Sequence, residues 1–248
     1  MRRLGLIGGT GLDQWGVDGK PLVVSSIYGH PSTKPIEYSI GDLQLFFLSR
    51  HGRTHELPPH AINYRGNIDI FRHLKVDGII SVNAVGTITP GFEPGGLSVP
   101  DQLIDYTWGR THSFSMSASE TLKHIDFELP FDTGLRAKLI EAAKFIGLEI
   151  AEAGCVGVTQ GPRLETAAEI ARLQRDGCDL VGMTSMPEAS LAREAGMAYA
   201  SLCVHSNWAA GVSSEPVTME AIEATLAGAM KQVRELLERL FEEFPNVR

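Results

Sequence analysis

Short apolar runs alternate along this chain with longer segments whose apolar residues recur at helical spacing, and most of the short runs end in glycine and other small residues. Leu4–Ile7, Leu22–Tyr28, Leu43–Ser49, Gly78–Val85, Ile150–Val158, Asp179–Thr184 and Ala198–His205 read as strands, with Leu97–Tyr106 a mixed, extended stretch. Ile62–Leu74 and Leu135–Ile146 have helical spacing, and Gly147 stops the second. Thr166-x-x-Glu169 and Ser185-x-x-Glu188 have the form of capping boxes, opening helices that Gly177 and Gly196 close, with Pro187 in the first turn of the second. From Thr218 to Phe244 one long amphipathic helix aligns Met219, Ile222, Leu226, Met230, Val233, Leu237 and Leu240 on a stripe of the kind that packs on a core. Alternating strands and helices predict an α/β layered fold. With no repeat, low-complexity tract or linker, residues 1–248 read as a single domain. Ligands in such sheets collect at the carboxyl ends of strands, so the informative residues should directly follow the apolar runs.

Charge and cysteine content narrow the function. Lys and Arg total 22 against 30 Asp and Glu, a formal charge of −8, the wrong sign for a duplex nucleic-acid binder. An anionic ligand must therefore be held by a local site against the global field. Three cysteines without a C-x-x-C pair argue against a disulfide framework or zinc ribbon and for a reducing cytoplasm. The opening Met1-Arg2-Arg3 and Leu4–Gly9 only imitate a signal peptide, because the apolar run is short and Asp13 and Gln14 follow. No apolar stretch approaches the ~18 residues that a membrane span needs.

Six clusters follow the strand runs. Gly8-Gly9-Thr10-Gly11 lets backbone approach an anion and adds a hydroxyl, though a plain turn reads equally well. It is no dinucleotide fingerprint, since Gln14 stands where the third glycine belongs, and no Walker loop, since Gly-Lys-Ser/Thr is missing. Ser49-Arg50-His51-Gly52-Arg53-Thr54-His55 concentrates two guanidiniums and two imidazoles, suited to an oxyanion. His51 and His55 have the spacing of a helical zinc pair, but the Glu of that motif is absent and Gly52, Pro58 and Pro59 oppose a helix; a solvated basic loop is the bland alternative. Asn83-Ala84-Val85-Gly86 reads as a turn when taken alone. In Gly161-Pro162-Arg163-Leu164-Glu165-Thr166 the carboxylate sits just outside a helix N-cap, where it could merely complement the helix dipole. Gly182-Met183-Thr184-Ser185 is a strand end meeting a helix N-terminus, a natural anion site. Ser206-Asn207-Trp208-Ala209 offers an amide for reading a heterocycle edge. No serine or cysteine nucleophile has a local signature, which suggests that a bound anion is itself the nucleophile.

Taken in order, Gly8-Gly9-Thr10-Gly11, Ser49-Arg50-His51-Gly52, Asn63-Tyr64, Asn83-Ala84-Val85-Gly86, Gly161-Pro162-Arg163, Met183-Thr184 and Pro187-Glu188-Ala189 resemble the trimeric purine nucleoside and methylthioadenosine phosphorylases. The match runs from about Leu4 to Leu240. The resemblance implies a mixed central sheet flanked by helices, a homotrimer, and phosphorolysis of a purine nucleoside with no metal or organic cofactor, inorganic phosphate being a co-substrate. Carried over, Thr10, Arg50, His51 and Thr184 would hold phosphate, with Asn83 and Ala84 lining that site. Met183 would face the ribose, His55 and Met219 the sugar 5′ group, and Asn207, Trp208 and Ala209 the base. His124 resembles a residue that reaches into a neighbouring subunit's site.

The departures from that pattern concern the substrate. Methylthioadenosine phosphorylases usually carry Asp-x-Asp where this chain has Asn207-Trp208-Ala209, and Ser where it has Glu165. The pairing of Glu165 with Asn207 instead resembles the base site for 6-oxopurines. Hypoxanthine presents N1–H to a carboxylate, whereas adenine presents a bare acceptor that would face it. Asn207 is expected to discriminate less, because an amide can flip, and to stabilise the leaving base. Leu164 replaces the usual stacking Phe. Met219 stands where ordinary purine nucleoside phosphorylases place His, favouring an apolar 5′ substituent through dispersion contacts. The combination implies a 6-oxopurine nucleoside with a methylthio group at 5′. A non-catalytic nucleoside-binding protein of the same fold is the rival from a different class.

Overall fold

The computed structural model describes residues 3–16, 18–115, 123–214 and 218–243. Its elements are, in order, β1 (Arg3–Gly8), β2 (Lys20–Pro21), β3 (Ile36–Ile40), β4 (Leu43–Ser49), a 3-10 turn (Pro59–Ala61), α1 (Tyr64–His73), β5 (Gly78–Thr87), β6 (Leu97–Ser98), β7 (Gln102–Asp105), α2 (Thr133–Phe145), β8 (Cys155–Val158), α3 (Ala167–Arg175), β9 (Leu180–Gly182), α4 (Ser185–Glu194), β10 (Ala198–Trp208) and α5 (Met219–Glu243). The ten strands form one mixed sheet with the path β2-β3-β4-β1-β5-β9-β8-β7, to which β10 is joined through β5 and β6 through β10. β4, β1, β5 and β10 run parallel, so Gly8, Ser49 and the ends of β5 and β10 emerge on one side. β9 approaches antiparallel to the end of β5, with Gly86 opposite Val181.

The central strands are apolar on both faces because both are covered. Leu4 and Leu6 of β1, Ile80 and Val82 of β5, and Leu202 and Val204 of β10 pack with Leu226, Met230, Val233 and Leu237 of α5 and Leu135 and Leu139 of α2. The alternate positions Ile7, Ile79, Tyr199 and Cys203 turn to the other layer, against Ile68 and Phe71 of α1 and Ala189 and Leu191 of α4. A smaller cluster sets Ile170 and Leu173 of α3 on Val181 and Ala209.

Four expectations are corrected. Leu22–Tyr28 is not a strand: after Lys20–Pro21 pairs with β3, the Leu22 N–H still donates to the Pro35 carbonyl at 2.8 Å, but Pro35 has no N–H to return and pairing ends. Val23 and Ile27 are left exposed. The true partner of β4 is Ile36–Ile40, a strand absent from the sequence reading. The Ile150–Val158 strand begins only at Cys155, because Gly154 turns the backbone to φ +145° just before it. The Thr166–Glu169 capping box forms as expected, but the Ser185–Glu188 box does not: Thr184 is the N-cap, Met186 and Pro187 are non-helical, and Glu188 is drawn into the interior. Met219 leaves the packed stripe of α5 and is 58% exposed at its first residue, and Phe244 lies outside the described residues.

Deleting one buried side chain of α5 should separate core from surface. Leu237→Ala is expected to lower unfolding free energy by about 2–5 kcal/mol, and the neighbouring exposed Glu238→Ala by less than about 0.5 kcal/mol, as read by urea denaturation.

Candidate active site

Arg50 directly follows β4, and its main-chain N–H donates to the Gly8 carbonyl at 2.9 Å. Its side chain is 1% exposed and enters the interior rather than solvent. Nε donates to Glu188 Oε1 at 2.6 Å and Nη2 to Oε2 at 3.1 Å, a two-pronged pair across the sheet. Nη1 donates to the Val82 carbonyl at 3.1 Å, and Nη2 also donates to the Ser81 hydroxyl. Glu188 Oε2 further accepts from Ser81 at 3.0 Å and from Tyr199 at 2.9 Å. Burial alone would weaken the hold of Arg50 on its proton, but the Glu188 carboxylate more than offsets this and the guanidinium stays charged. One Nη1 N–H remains free of these partners. Gly9 is what allows this packing: a Cβ there would lie 2.6 Å from Arg50 Nη1 and 2.5 Å from the Val82 carbonyl oxygen.

A cavity of about 720 Å³ opens where these strand ends meet. Thr10, Arg50, His51, His55, Ala84, Glu165, Met183, Thr184, Asn207, Ala209 and Met219 all line it, together with Ile222 and Leu226. Thus the sequence-flagged residues from seven separate segments converge on one space. Asn83 lies behind the wall. One end of its amide faces the Ser81 and Val82 carbonyls at 3.1 and 3.3 Å, which can only accept, so that end is the NH2 and the oxygen accepts from Thr184 and Ser185 at 3.0 and 3.2 Å. Trp208 is not among the lining residues; its carbonyl instead accepts from Asn207. Exposed Leu164 is at the cavity edge. His124 is exposed and does not line the cavity of this chain.

His51 Nδ1 is 2.8 Å from the Leu57 carbonyl, so Nδ1 carries the proton and Nε2 presents a lone pair. Burial, then the neighbouring Arg50 charge, lowers its pKa to about 4. The His55 ring stacks on it at 4.4 Å, and His55 adopts φ +59° outside any helix. The zinc alternative is not supported by this geometry: among the described residues no group of three metal-ligating side chains is assembled. Glu165 is more than a dipole complement to α3. Its Oε1 accepts from the Thr159 hydroxyl at 2.5 Å, and it is half-buried in the cavity wall.

Residues that the sequence reading missed hold this wall together. Glu188 and Tyr199 fix Arg50, while Thr159 fixes Glu165. Arg110 donates from Nη1 to the carbonyls of Met183 and Met186 at 2.8 and 2.6 Å, and from Nη2 to that of Gln160 at 2.8 Å. It therefore ties the loop before Glu165 to the loop after β9. Between those loops Gly161 sits at φ +59°, and a Cβ there would meet the Met183 sulfur at 2.5 Å. A loop arginine has no periodic signal, and only the folded chain shows its partners.

The model of the phosphorylase superfamily matches residues 4–242, and the chain belongs to that family. A probable S-methyl-5'-thioinosine phosphorylase of Xylella fastidiosa (strain Temecula1) is 46% identical, covering 97% of this chain and 98% of its own. A protein described in the same words from Xanthomonas campestris pv. campestris is 44% identical over 96% of each chain. Among solved structures, a methylthioadenosine phosphorylase from Schistosoma mansoni in complex with adenine superposes with a TM-score of 0.93 at 30% identity, covering 100% of this chain and 93% of its own. The mixed sheet with its flanking helices is the nucleoside phosphorylase α/β fold.

His51 in the cavity wall and His205, buried in β10 away from the cavity lining, give the protein a pH signature. The His205 pKa is also lowered to about 4, chiefly by burial; its Nδ1 donates to the Glu93 carbonyl and its Nε2 accepts from Ser98. Both folded values lie below the unfolded value near 6.5, so each contributes stability above that pH which is lost as pH falls toward 4. Between pH 7 and 5 each should remove about 1–2 kcal/mol. His205→Gln should flatten the pH dependence of the urea midpoint over that range; an unchanged slope would contradict the assignment.

Proposed function

We propose that this protein catalyses the phosphorolysis of S-methyl-5′-thioinosine, giving hypoxanthine and S-methyl-5-thio-α-D-ribose 1-phosphate. The observation that carries this reading is a carboxylate and apolar side chains sharing one cavity: Glu165, held by Thr159, and Met219, Ile222 and Leu226. A carboxylate accepts from the N1–H of hypoxanthine and repels the bare N1 of adenine, a difference of the order of a charged hydrogen bond, ~1.5–3 kcal/mol. Met219, Ile222 and Leu226 take a methylthio group and themselves offer a 5′-hydroxyl no hydrogen bond.

Phosphate is the nucleophile. Thr10, the free Nη1 N–H of Arg50, and the Thr184 segment at the N-terminus of α4 hold it, with Ala84 in the same wall and Asn83 behind. His51, neutral, accepts from the phosphate's own O–H. Phosphate oxygen attacks the anomeric carbon as the bond to N9 breaks, the electron pair leaves with the base, and in net the proton that the phosphate O–H gives up neutralises the departing anion to hypoxanthine. The Asn207 amide, flanked by Trp208 and Ala209, donates to the purine edge where that charge develops, and Met183 packs on the ribose. No covalent enzyme intermediate, metal or organic cofactor enters this reaction. The reading also carries a homotrimer in which His124 reaches a neighbouring site. Its setting is the cytoplasm, in keeping with three free cysteines and with no described helix long and apolar enough to cross a membrane.

The rival substrate is methylthioadenosine, which the structural likeness to an adenine-bound enzyme favours; inosine stands behind it. Steady-state rates of base release should give methylthioinosine a kcat/KM at least tenfold above both. Glu165→Gln should cut the preference for methylthioinosine over methylthioadenosine by about tenfold. Faster turnover of methylthioadenosine by the parent enzyme would overturn the base assignment, and faster turnover of inosine the assignment at Met219. Calorimetric binding of methylthioinosine with no release of hypoxanthine would support a non-catalytic binding protein.

A further inference from the structure

An amide reads a base only if it cannot turn over, and freedom to flip is the expected weakness of Asn207. Its surroundings remove that freedom. One end of the amide lies 2.8 Å from the main-chain carbonyl of Trp208, which can only accept, so this end is the NH2. The other end is then the carbonyl oxygen, and it lies 2.6 Å from the Ser206 hydroxyl, which must donate to it. Flipping would set two carbonyl oxygens against each other at Trp208, so the Trp208 carbonyl fixes which end is which, and the single Ser206 proton then goes to the amide oxygen at 2.6 Å rather than to the Val85 carbonyl at 3.0 Å, holding the amide plane in place. The backbone beneath is pinned as well: the Asn207 carbonyl accepts from Thr87 Oγ1 at 3.2 Å, and the Ala209 N–H donates to the Thr87 carbonyl at 2.9 Å.

Ser206 reaches its neighbour's side chain because of an irregularity in β10. His205 pairs with Val85 and Asn207 with Gly86, so Ser206 is an extra residue without an opposite number on β5. In a regular strand Ser206 and Asn207 would point to opposite faces; the bulge re-aims them, and both line the cavity. Gly86 lies beside them, and a Cβ there would crowd Val181 Cγ1 at 3.1 Å while touching Asn207 Nδ2 at an ordinary 3.6 Å.

The geometry points to Ser206 as a positioning residue that sets base specificity: its hydroxyl, with the Trp208 carbonyl, holds Asn207 so that a fixed N–H is presented to the purine edge. The inference deepens the phosphorolysis reading and rests on it. A locked N–H suits the O6 and N7 acceptors of a 6-oxopurine and opposes the 6-amino group of adenine. It makes Asn207 a discriminating group beside Glu165 rather than an indifferent one.

The test compares Ser206→Ala and Ser206→Thr with the parent on methylthioinosine and methylthioadenosine. Losing the hydroxyl should lower the ratio of kcat/KM values, methylthioinosine over methylthioadenosine, by about three- to tenfold, the worth of one ordinary hydrogen bond. Threonine, which keeps the hydroxyl, should restore it. The KM for phosphate should stay within about twofold throughout, because Ser206 makes no contact with Arg50 or His51. A ratio within twofold of the parent's in the alanine variant overturns the inference, as does a threonine variant that behaves like alanine. A parent that turns over neither nucleoside would overturn the phosphorolysis reading first. A parent that works on both while its ratio ignores Ser206 overturns only the positioning role.

Discussion

The buried ion pair between Arg50 and Glu188 is the constraint around which the site is built. Two full charges at 1% and 0% exposure are costly to desolvate, and such pairs often contribute little net stability compared with apolar side chains of similar volume. What the pair supplies is position. Glu188 takes both prongs of the guanidinium and two hydroxyl protons, so its carboxylate is saturated and Arg50 has no other place to go. The bonds span β4, β5, α4 and β10, so the cation is located by the same contacts that hold the layers together. Had Glu188 been spent on capping α4, Arg50 would have lost its anchor.

Much of the fold was legible because the central strands are covered on both faces. β1, β4, β5 and β10 are near-continuous apolar runs, and no surface position competes with that signal. The edge strand β3 was not legible, since it is only partly buried and its alternation is weak. Leu22–Tyr28 failed for a different reason: pairing depends on a partner's N–H, and the partner here is Pro35. The loops of the site announced themselves through glycine beside Arg, His or Thr. The supports did not, because Glu188 lies 138 residues from Arg50 and Arg110 lies 73 residues from the Met183 carbonyl that it holds. Local patterning carries no trace of contacts at that separation.

The cavity divides its work between rigid and soft groups. Glu165 is tied to Thr159, and Asn207 to Ser206 and Trp208, so donors and acceptors occupy set places. Hydrogen-bonding sites of that kind reject a mismatched partner strongly. Met219, Ile222 and Leu226 line the same cavity, side chains that adapt in shape and discriminate by removal from water. The family match establishes the fold and the class of chemistry; the proposed substrate rests on this pairing of fixed polar with adaptable apolar groups.

The most direct measurement of the central claim is a crystal structure of the protein with phosphate bound. The account predicts that Arg50 keeps both bonds to Glu188 while its remaining Nη1 N–H donates to a phosphate oxygen, with Thr10 Oγ1 and His51 Nε2 also in hydrogen-bond reach. An Arg50 that leaves Glu188 to meet the anion, or a phosphate seated out of reach of Nη1, would contradict it.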